Sequence, residues 1–226
     1  MARSPIVGSA LSLQRLILLV GSCGAAIGML TVLVAAFAYS REHDFSLLTT
    51  YLSDFGSVTG WPAAIFNSGM LLVAPIRFAF LVLLLTLLAD YGAPSAWRHA
   101  ALLLGMVAVA GSIGIAAIPF SLNLRLHMSS AFMYFLGTVG VQSILASLEW
   151  RARLPKLLPA LSVLVVVVYL VFAVLLALVG KVPSVTRETP AAWEWCAFAS
   201  LMVWLIAHSV VLGTGKAVQH GPQGEV

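Results

Sequence analysis

Charged side chains are scarce in this sequence. Asp, Glu, Lys and Arg together make up 9% of the 226 residues, and the mean hydropathy is +1.04. A soluble domain carries roughly a quarter charged residues, so the composition excludes an ordinary water-soluble globule. The formal charge of +4 is distributed between apolar runs, which fits membrane topology and gives no support to nucleic-acid binding.

Cysteines and catalytic signatures are also few. The two cysteines, Cys23 and Cys196, lie inside apolar runs, which excludes a disulfide framework and a cysteine metal site. The sequence has no glycine-rich phosphate loop, no nucleophile elbow and no zinc-protease helix motif. We therefore predict no cofactor and no metal, and the sequence leaves open whether the protein is an enzyme.

Long apolar runs are what the sequence has instead. A membrane helix needs about 20 mostly apolar residues, and six segments meet this condition: 16–38, 62–88, 100–119, 124–147, 157–179 and 190–212. The predicted fold class is all-α, an integral membrane bundle of six transmembrane helices. Residues 1–214 are predicted to form this single domain, and the Pro/Gly-rich residues 215–226 a flexible C-terminal tail.

The loop charges predict the orientation of the bundle. Basic residues such as Arg151, Arg153 and Lys156 are concentrated on the side that holds both termini, whereas the acidic loop residues lie on the opposite side. Both termini are therefore predicted to be cytoplasmic. Because no eukaryotic sorting signal occurs, the predicted location is a bacterial inner membrane. Gly24 and Gly28 predict a close helix–helix contact, either within the chain or in a homo-oligomer.

Polar residues gather at the predicted non-cytoplasmic ends of the spans. Such side chains are costly in hydrocarbon, so each is a candidate for function. A lipid-headgroup pocket between the second, fourth and sixth spans is the leading hypothesis, with Arg125 and the helix N-termini contacting phosphate. The predicted ligand-binding residues are Ser53, Asp54, Asn67, Arg125, His127 and Glu194.

Other interpretations of the same polar residues remain open. Asp54, His127 and Glu194 could carry acid–base catalysis in an intramembrane lipid hydrolase or transferase. The carboxylates with His127 and His43 could hold a metal, although no two histidines have i, i+4 spacing. Acidic residues near helix starts could also serve only as caps, in a structural partner subunit of a larger membrane complex.

Two further positions lie deep in the predicted spans. Arg77 is near the middle of the second span, and we expect it to reach the cytoplasmic surface or to pair with Glu149 or a helix carbonyl. His99 and His208 both lie toward the cytoplasmic half, where we expect hydrogen-bonded packing roles, with a bis-histidine haem as the alternative.

Short motifs give this chain a resemblance to a known family. They are residues 53–56 (Ser-Asp-Phe-Gly), residues 66–69 (Phe-Asn-Ser-Gly), His127 followed by Phe135 and Gly137, and the pair Glu194-Trp195. With these motifs in this order, the chain resembles the six-span DRAM superfamily and its Frag-type and Sfk-type relatives. It also resembles the related prokaryotic six-span family of unknown function. The resemblance implies a membrane lipid as partner, in lipid-anchor maturation or lipid distribution between leaflets. It also implies shared polar positions at Ser53, Asp54, Asn67, His127 and Glu194.

Overall fold

The computed structural model describes residues 5–214, with side chains from Leu13 onward. Helices occupy most of this range: α1 (Pro5–Ser40), α2 (Leu52–Phe55), α3 (Trp61–Asp90), α4 (Ser95–Ala117), α5 (Leu124–Arg151), α6 (Leu157–Leu178) and α7 (Ala191–Gly213). All except the four-residue α2 are long and apolar enough to cross a membrane. The predicted all-α bundle of six spans is therefore confirmed. The predicted tail, 215–226, lies outside the described residues, and the membrane orientation stays a prediction.

The six long helices form a closed ring. Each long helix packs against the next long helix in the chain, from the α1–α3 pair to the α6–α7 pair. Helix α7 also packs against α1, which closes the ring. Helices on opposite sides of the ring make few or no close backbone contacts, so the bundle has an interior that side chains must fill. We call the end of the ring at which α3, α5 and α7 begin the polar face, and the other end the opposite face.

Glycines set the closest helix contacts in the ring. A Cβ atom on Gly111 of α4 would lie 2.4 Å from the backbone nitrogen of Tyr134, and one on Gly137 of α5 would lie 2.8 Å from that of Ala108. The backbones of α4 and α5 therefore touch directly, as small residues permit in membrane helices. The predicted contact at Gly28 is with Arg77 of α3 in the same chain.

A buried polar network joins α5, α6 and α7 toward the opposite face. His208 Nε2 lies 2.9 Å from Glu149 Oε1, and Ser162 Oγ donates to Glu149 Oε2 at 2.9 Å. Trp204 Nε1 in turn donates to Ser162 Oγ at 2.8 Å. Glu149, Ser162 and His208 are each 0% exposed, so in this network every member depends on the others for its hydrogen bonds.

This network corrects two predictions. Glu149 pairs with His208 and not with Arg77, so the predicted Arg77–Glu149 pair is wrong. The ring nitrogens of His208 are engaged with Glu149 and with the Trp204 carbonyl, whereas His99 is exposed. The haem hypothesis for His99 and His208 therefore has no support in the geometry.

Candidate functional site

A cavity of about 260 Å³ lies inside the ring toward the polar face. Aromatic and aliphatic side chains make up most of its wall. Polar side chains at the polar face form one end: Tyr51, Ser53, Asp54, His127, Arg187 and Glu194. The inner end includes Arg77 and Tyr134, the latter ten residues into α5, or about 15 Å along the helix. The cavity therefore combines an apolar wall with charged groups at both ends.

Two of the predicted carboxylates hold the short helix α2 across this end of the ring. Asp54 Oδ2 accepts a hydrogen bond from the backbone nitrogen of Tyr51 at 2.9 Å, and Glu194 Oε2 accepts one from that of Leu52 at 2.5 Å. The first N–H groups of a helix lack partners within it. Asp54 and Glu194 supply those partners from α2 itself and from α7, and this brings both carboxylates to the cavity.

Arg187, in the loop before α7, lies beside these carboxylates. We call Asp54, Arg187 and Glu194 the charged rim of the cavity. Arg187 Nη2 donates to Asp54 Oδ1 at 2.7 Å, and its guanidinium carbon lies 5.1 Å from the centre of the Tyr51 ring. The Tyr51 hydroxyl donates to the Arg187 carbonyl oxygen. Burial, helped by the nearby Glu194 carboxylate, raises the pKa of Tyr51 to about 12. The phenol therefore stays protonated, and a hydrogen-bond donor, throughout the physiological pH range.

Aromatic packing anchors α2 on its other side. Phe55 is 0% exposed, and its ring centre lies 5.1 Å from that of Tyr39, 6.0 Å from that of Phe66 and 5.9 Å from that of Trp195. Trp195 Nε1 also donates to the Thr50 carbonyl oxygen at 2.9 Å. These contacts join α1, α3 and α7, so they fix the segment that carries the rim carboxylates.

Asn67 has a packing role next to the cavity. Its Nδ2 donates to the Gly56 carbonyl oxygen at 3.0 Å, and a Cβ on Gly56 would lie 2.4 Å from its Oδ1. The motifs at residues 53–56 and 66–69 thus meet at this contact. Asn67 does not line the cavity, although its neighbours Phe66 and Met70 do.

His127 and Arg125 diverge at the start of α5. His127 is 6% exposed and lines the cavity, and its Nδ1 bonds the Ile118 carbonyl oxygen at 2.9 Å. The structure shows no hydrogen bond from His127 to Asp54 or Glu194, the contact that the catalytic interpretation requires. Arg125 is exposed and lies outside the cavity lining.

The metal interpretation also lacks support within residues 13–214. No group of three His, Cys, Asp or Glu side chains there is arranged to hold a metal ion. His43 instead packs against Tyr39, with ring centres 4.7 Å apart.

Sequence reasoning missed the residues that complete the site. Arg187 and Tyr51 lie in loops, where neither helical periodicity nor membrane depth predicts a position. The inner end was missed as well: the hydroxyls of Tyr134 and Tyr169 lie 3.0 Å apart there, between α5 and α6. A tyrosine in the middle of each of two spans was the available signal for this end.

The rim carboxylate and the rim arginine should differ in their effect on stability. Asp54→Ala removes both the cap on α2 and the ion pair, so we expect a loss of about 0.5–2 kcal/mol in the free energy of unfolding. The Arg187 side chain is 62% exposed, so Arg187→Gln should lower it by only about 0–1 kcal/mol. Thermal unfolding in detergent measures both changes. Equal losses in the two variants would contradict a capping role for Asp54.

The fold and the cavity define a class, a multi-pass membrane protein with six spanning-length helices around an interior cavity. The chain belongs to the family described as "Protein of unknown function (DUF998)", whose family model matches residues 25–211. Searches of the curated proteins and of the solved structures found no match. The expected membership of a six-span family of unknown function is confirmed. The relationship to the DRAM superfamily stays a prediction.

Proposed function

We propose that this chain is a lipid-binding membrane protein and that the cavity at its polar face holds the headgroup of a phospholipid. One observation carries the proposal: a cavity with an apolar wall whose end at the polar face is bordered by Asp54, Arg187 and Glu194. An amphiphile has the same division between a charged end and an apolar body. The predicted orientation places this end in the outer leaflet of a bacterial inner membrane.

The size of the cavity limits how much of the lipid can enter. Pockets for small molecules usually measure roughly 300–1,000 Å³, and this one measures about 260 Å³. A whole phospholipid does not fit. A headgroup with the first part of one acyl chain does, while the remaining chains stay in the bilayer.

The charges at the rim favour a zwitterionic headgroup. A guanidinium has five N–H groups, and Arg187 directs one toward Asp54, so others are left to bind a phosphate. Asp54 and Glu194 offer acceptors for an ammonium group. A headgroup with both charges, such as phosphoethanolamine, therefore matches the rim better than an anionic headgroup.

Native mass spectrometry in an equimolar mixture of phosphatidylethanolamine and phosphatidylglycerol tests the proposal. We expect the wild type to retain one lipid and to prefer phosphatidylethanolamine. Arg187→Gln removes a charge-assisted hydrogen bond of roughly 1.5–3 kcal/mol, so retention should fall at least about tenfold. Arg125→Gln is the matched control, because this arginine is at the same face but outside the cavity lining. Equal losses in both variants would point to unspecific surface charge and contradict the pocket.

A variant that fills the cavity without changing its charges tests whether the lipid needs the space inside the ring. Ala131 is 9% exposed and lines the cavity, so Ala131→Leu should fill part of the space and reduce lipid retention with the rim unchanged. Ala110→Leu adds the same volume on the exposed surface of α4 and should leave retention unchanged. Retention that survives Ala131→Leu would show that the lipid binds elsewhere.

A further inference from the structure

A second, smaller cavity lies inside the ring, further from the polar face. It measures about 80 Å³ and is bordered by α3, α4, α5 and α7. Arg77 and Tyr134 line both cavities, so they form the boundary between them. A buried water needs roughly 10–15 Å³ of such space, which leaves room here for a small ion together with water.

Unpaired polar atoms are concentrated at this small cavity. In the described part of the chain, the buried side-chain atoms without a hydrogen-bond partner are Arg77 Nε, Arg77 Nη2, Arg98 Nε, Ser112 Oγ and Gln142 Oε1. All except the Arg98 atom belong to residues that line the small cavity. Ser112 and Gln142 are 3% and 2% exposed. Buried polar groups nearly always have a partner, so this group of atoms indicates a bound species.

The charge of Arg77 indicates the sign of that species. The structure describes no carboxylate within ion-pair distance of Arg77: the Glu149 carboxylate pairs with His208 and that of Asp54 with Arg187. The Cα atom of Arg77 lies 16 residues into α3, about 24 Å along the helix from its start. An arginine so deep in a membrane span is costly without a counter-charge, and no described side chain supplies one.

We infer that the small cavity is a binding site for a compact monovalent anion. Arg77 supplies the charge through its Nε and Nη2 groups, the Ser112 hydroxyl donates a hydrogen bond, and the Gln142 amide offers a donor after rotation of its plane. The anion is either a free halide from the aqueous phase or the carboxylate of a fatty acid that lies in the larger cavity. Both have a single charge and compact acceptor atoms. A free halide would bind independently of the headgroup at the rim, whereas a fatty acid would compete with that headgroup for the larger cavity.

Thermal unfolding of the full chain in sodium gluconate, with chloride or bromide substituted at constant ionic strength, tests the site. We expect a saturable rise in the unfolding temperature of the wild type, because a ligand that binds the native state stabilises it by mass action. Arg77→Gln should abolish the rise. Ser112→Ala keeps the charge and should weaken the apparent affinity severalfold. Arg98→Gln is the control, since this arginine also has an unpaired Nε but lies outside the cavity.

In the same titration, the order of stability of the wild type and Arg77→Gln should reverse between the two salts, which a purely structural role for Arg77 would not produce. In gluconate, Arg77→Gln should unfold at the temperature of the wild type or higher, because it removes an uncompensated charge, whereas in chloride the wild type should be the more stable protein. Wild type that is equally stable in both salts even after delipidation, with no bromide anomalous signal at the cavity in a crystal, would overturn the inference in favour of water. So would a response that Arg98→Gln lowers as much as Arg77→Gln.

Delipidation distinguishes the two sources of the anion. A chloride response in protein that keeps its lipids identifies a free anion. A response that appears only after delipidation, and that added oleate suppresses, identifies a fatty-acid carboxylate. Either result supports an anion site at Arg77.

Discussion

Glu149→Ala is expected to lower the free energy of unfolding by about 3–5 kcal/mol, the usual loss when one member of a buried ion pair is removed. The carboxylate is 0% exposed and accepts from Ser162 while it contacts His208. Alanine would leave the Ser162 hydroxyl proton without its acceptor and His208 Nε2 without a partner, and it would open a cavity between α5, α6 and α7. The measurement is thermal or denaturant-induced unfolding in detergent.

The proton count explains why Glu149→Gln should be mild. His208 Nδ1 lies 2.8 Å from the Trp204 carbonyl oxygen, which can only accept, so Nδ1 carries a proton. The contact between Nε2 and Glu149 Oε1 then contains one further proton, and the pair is neutral overall whichever residue holds it. The glutamine amide can donate to Nε2 and accept from Ser162, so every hydrogen bond is kept. We expect a loss of about 1 kcal/mol or less.

Two further variants control this prediction. Glu188→Ala removes an exposed acidic residue and should leave the unfolding temperature unchanged. The double variant Glu149→Leu with His208→Leu should regain part of the loss, because apolar residues often replace a buried pair at little cost. If Glu149→Ala is as stable as Glu149→Gln, the network does not hold the three helices together.

Hydropathy predicted the spans because the bilayer leaves little choice. A helix that crosses about 30 Å of hydrocarbon must be apolar for about 20 residues, and all six predicted segments are helices in the structure. The same argument gave depth, which is why Asp54, His127 and Glu194 were correctly expected near one end of the bundle. Depth alone cannot tell which side chains face each other.

Hydropathy does not give the rotation of each helix about its own axis, and this rotation decides which side chains face the interior. When a helix is apolar on all sides, its sequence gives little indication of the inward face. The pair of Glu149 with His208 was therefore not predicted, and Arg77 was instead considered as a partner of Glu149. The direction of Arg125 could have been predicted from the sequence. At about 100° per residue, Arg125 lies roughly 200° around α5 from His127. If His127 faces the interior, Arg125 must face outward, as the structure has it.

Gly111→Ala is expected to be among the most damaging single methyl additions in the chain. Its Cβ would lie 2.4 Å from the Tyr134 nitrogen and 2.6 Å from the Ser130 carbonyl oxygen. Both atoms belong to the backbone of α5, which cannot rotate away as a side chain can. The two helices would have to separate, so we expect a loss at the upper end of the roughly 1–3 kcal/mol typical of overpacking, measured by thermal unfolding.

Gly24→Ala is the matched control, because its Cβ would meet only the side-chain ends of Ile76 at 3.1 Å and Leu205 at 3.6 Å. Since alanine also favours helix over glycine by up to about 1 kcal/mol, this variant should be close to the wild type in stability. Gly111→Ala should in addition reduce lipid retention, since moving α5 displaces Tyr134, which lines both cavities. Unchanged stability and retention in Gly111→Ala would mean that α4 and α5 are further apart than the structure places them.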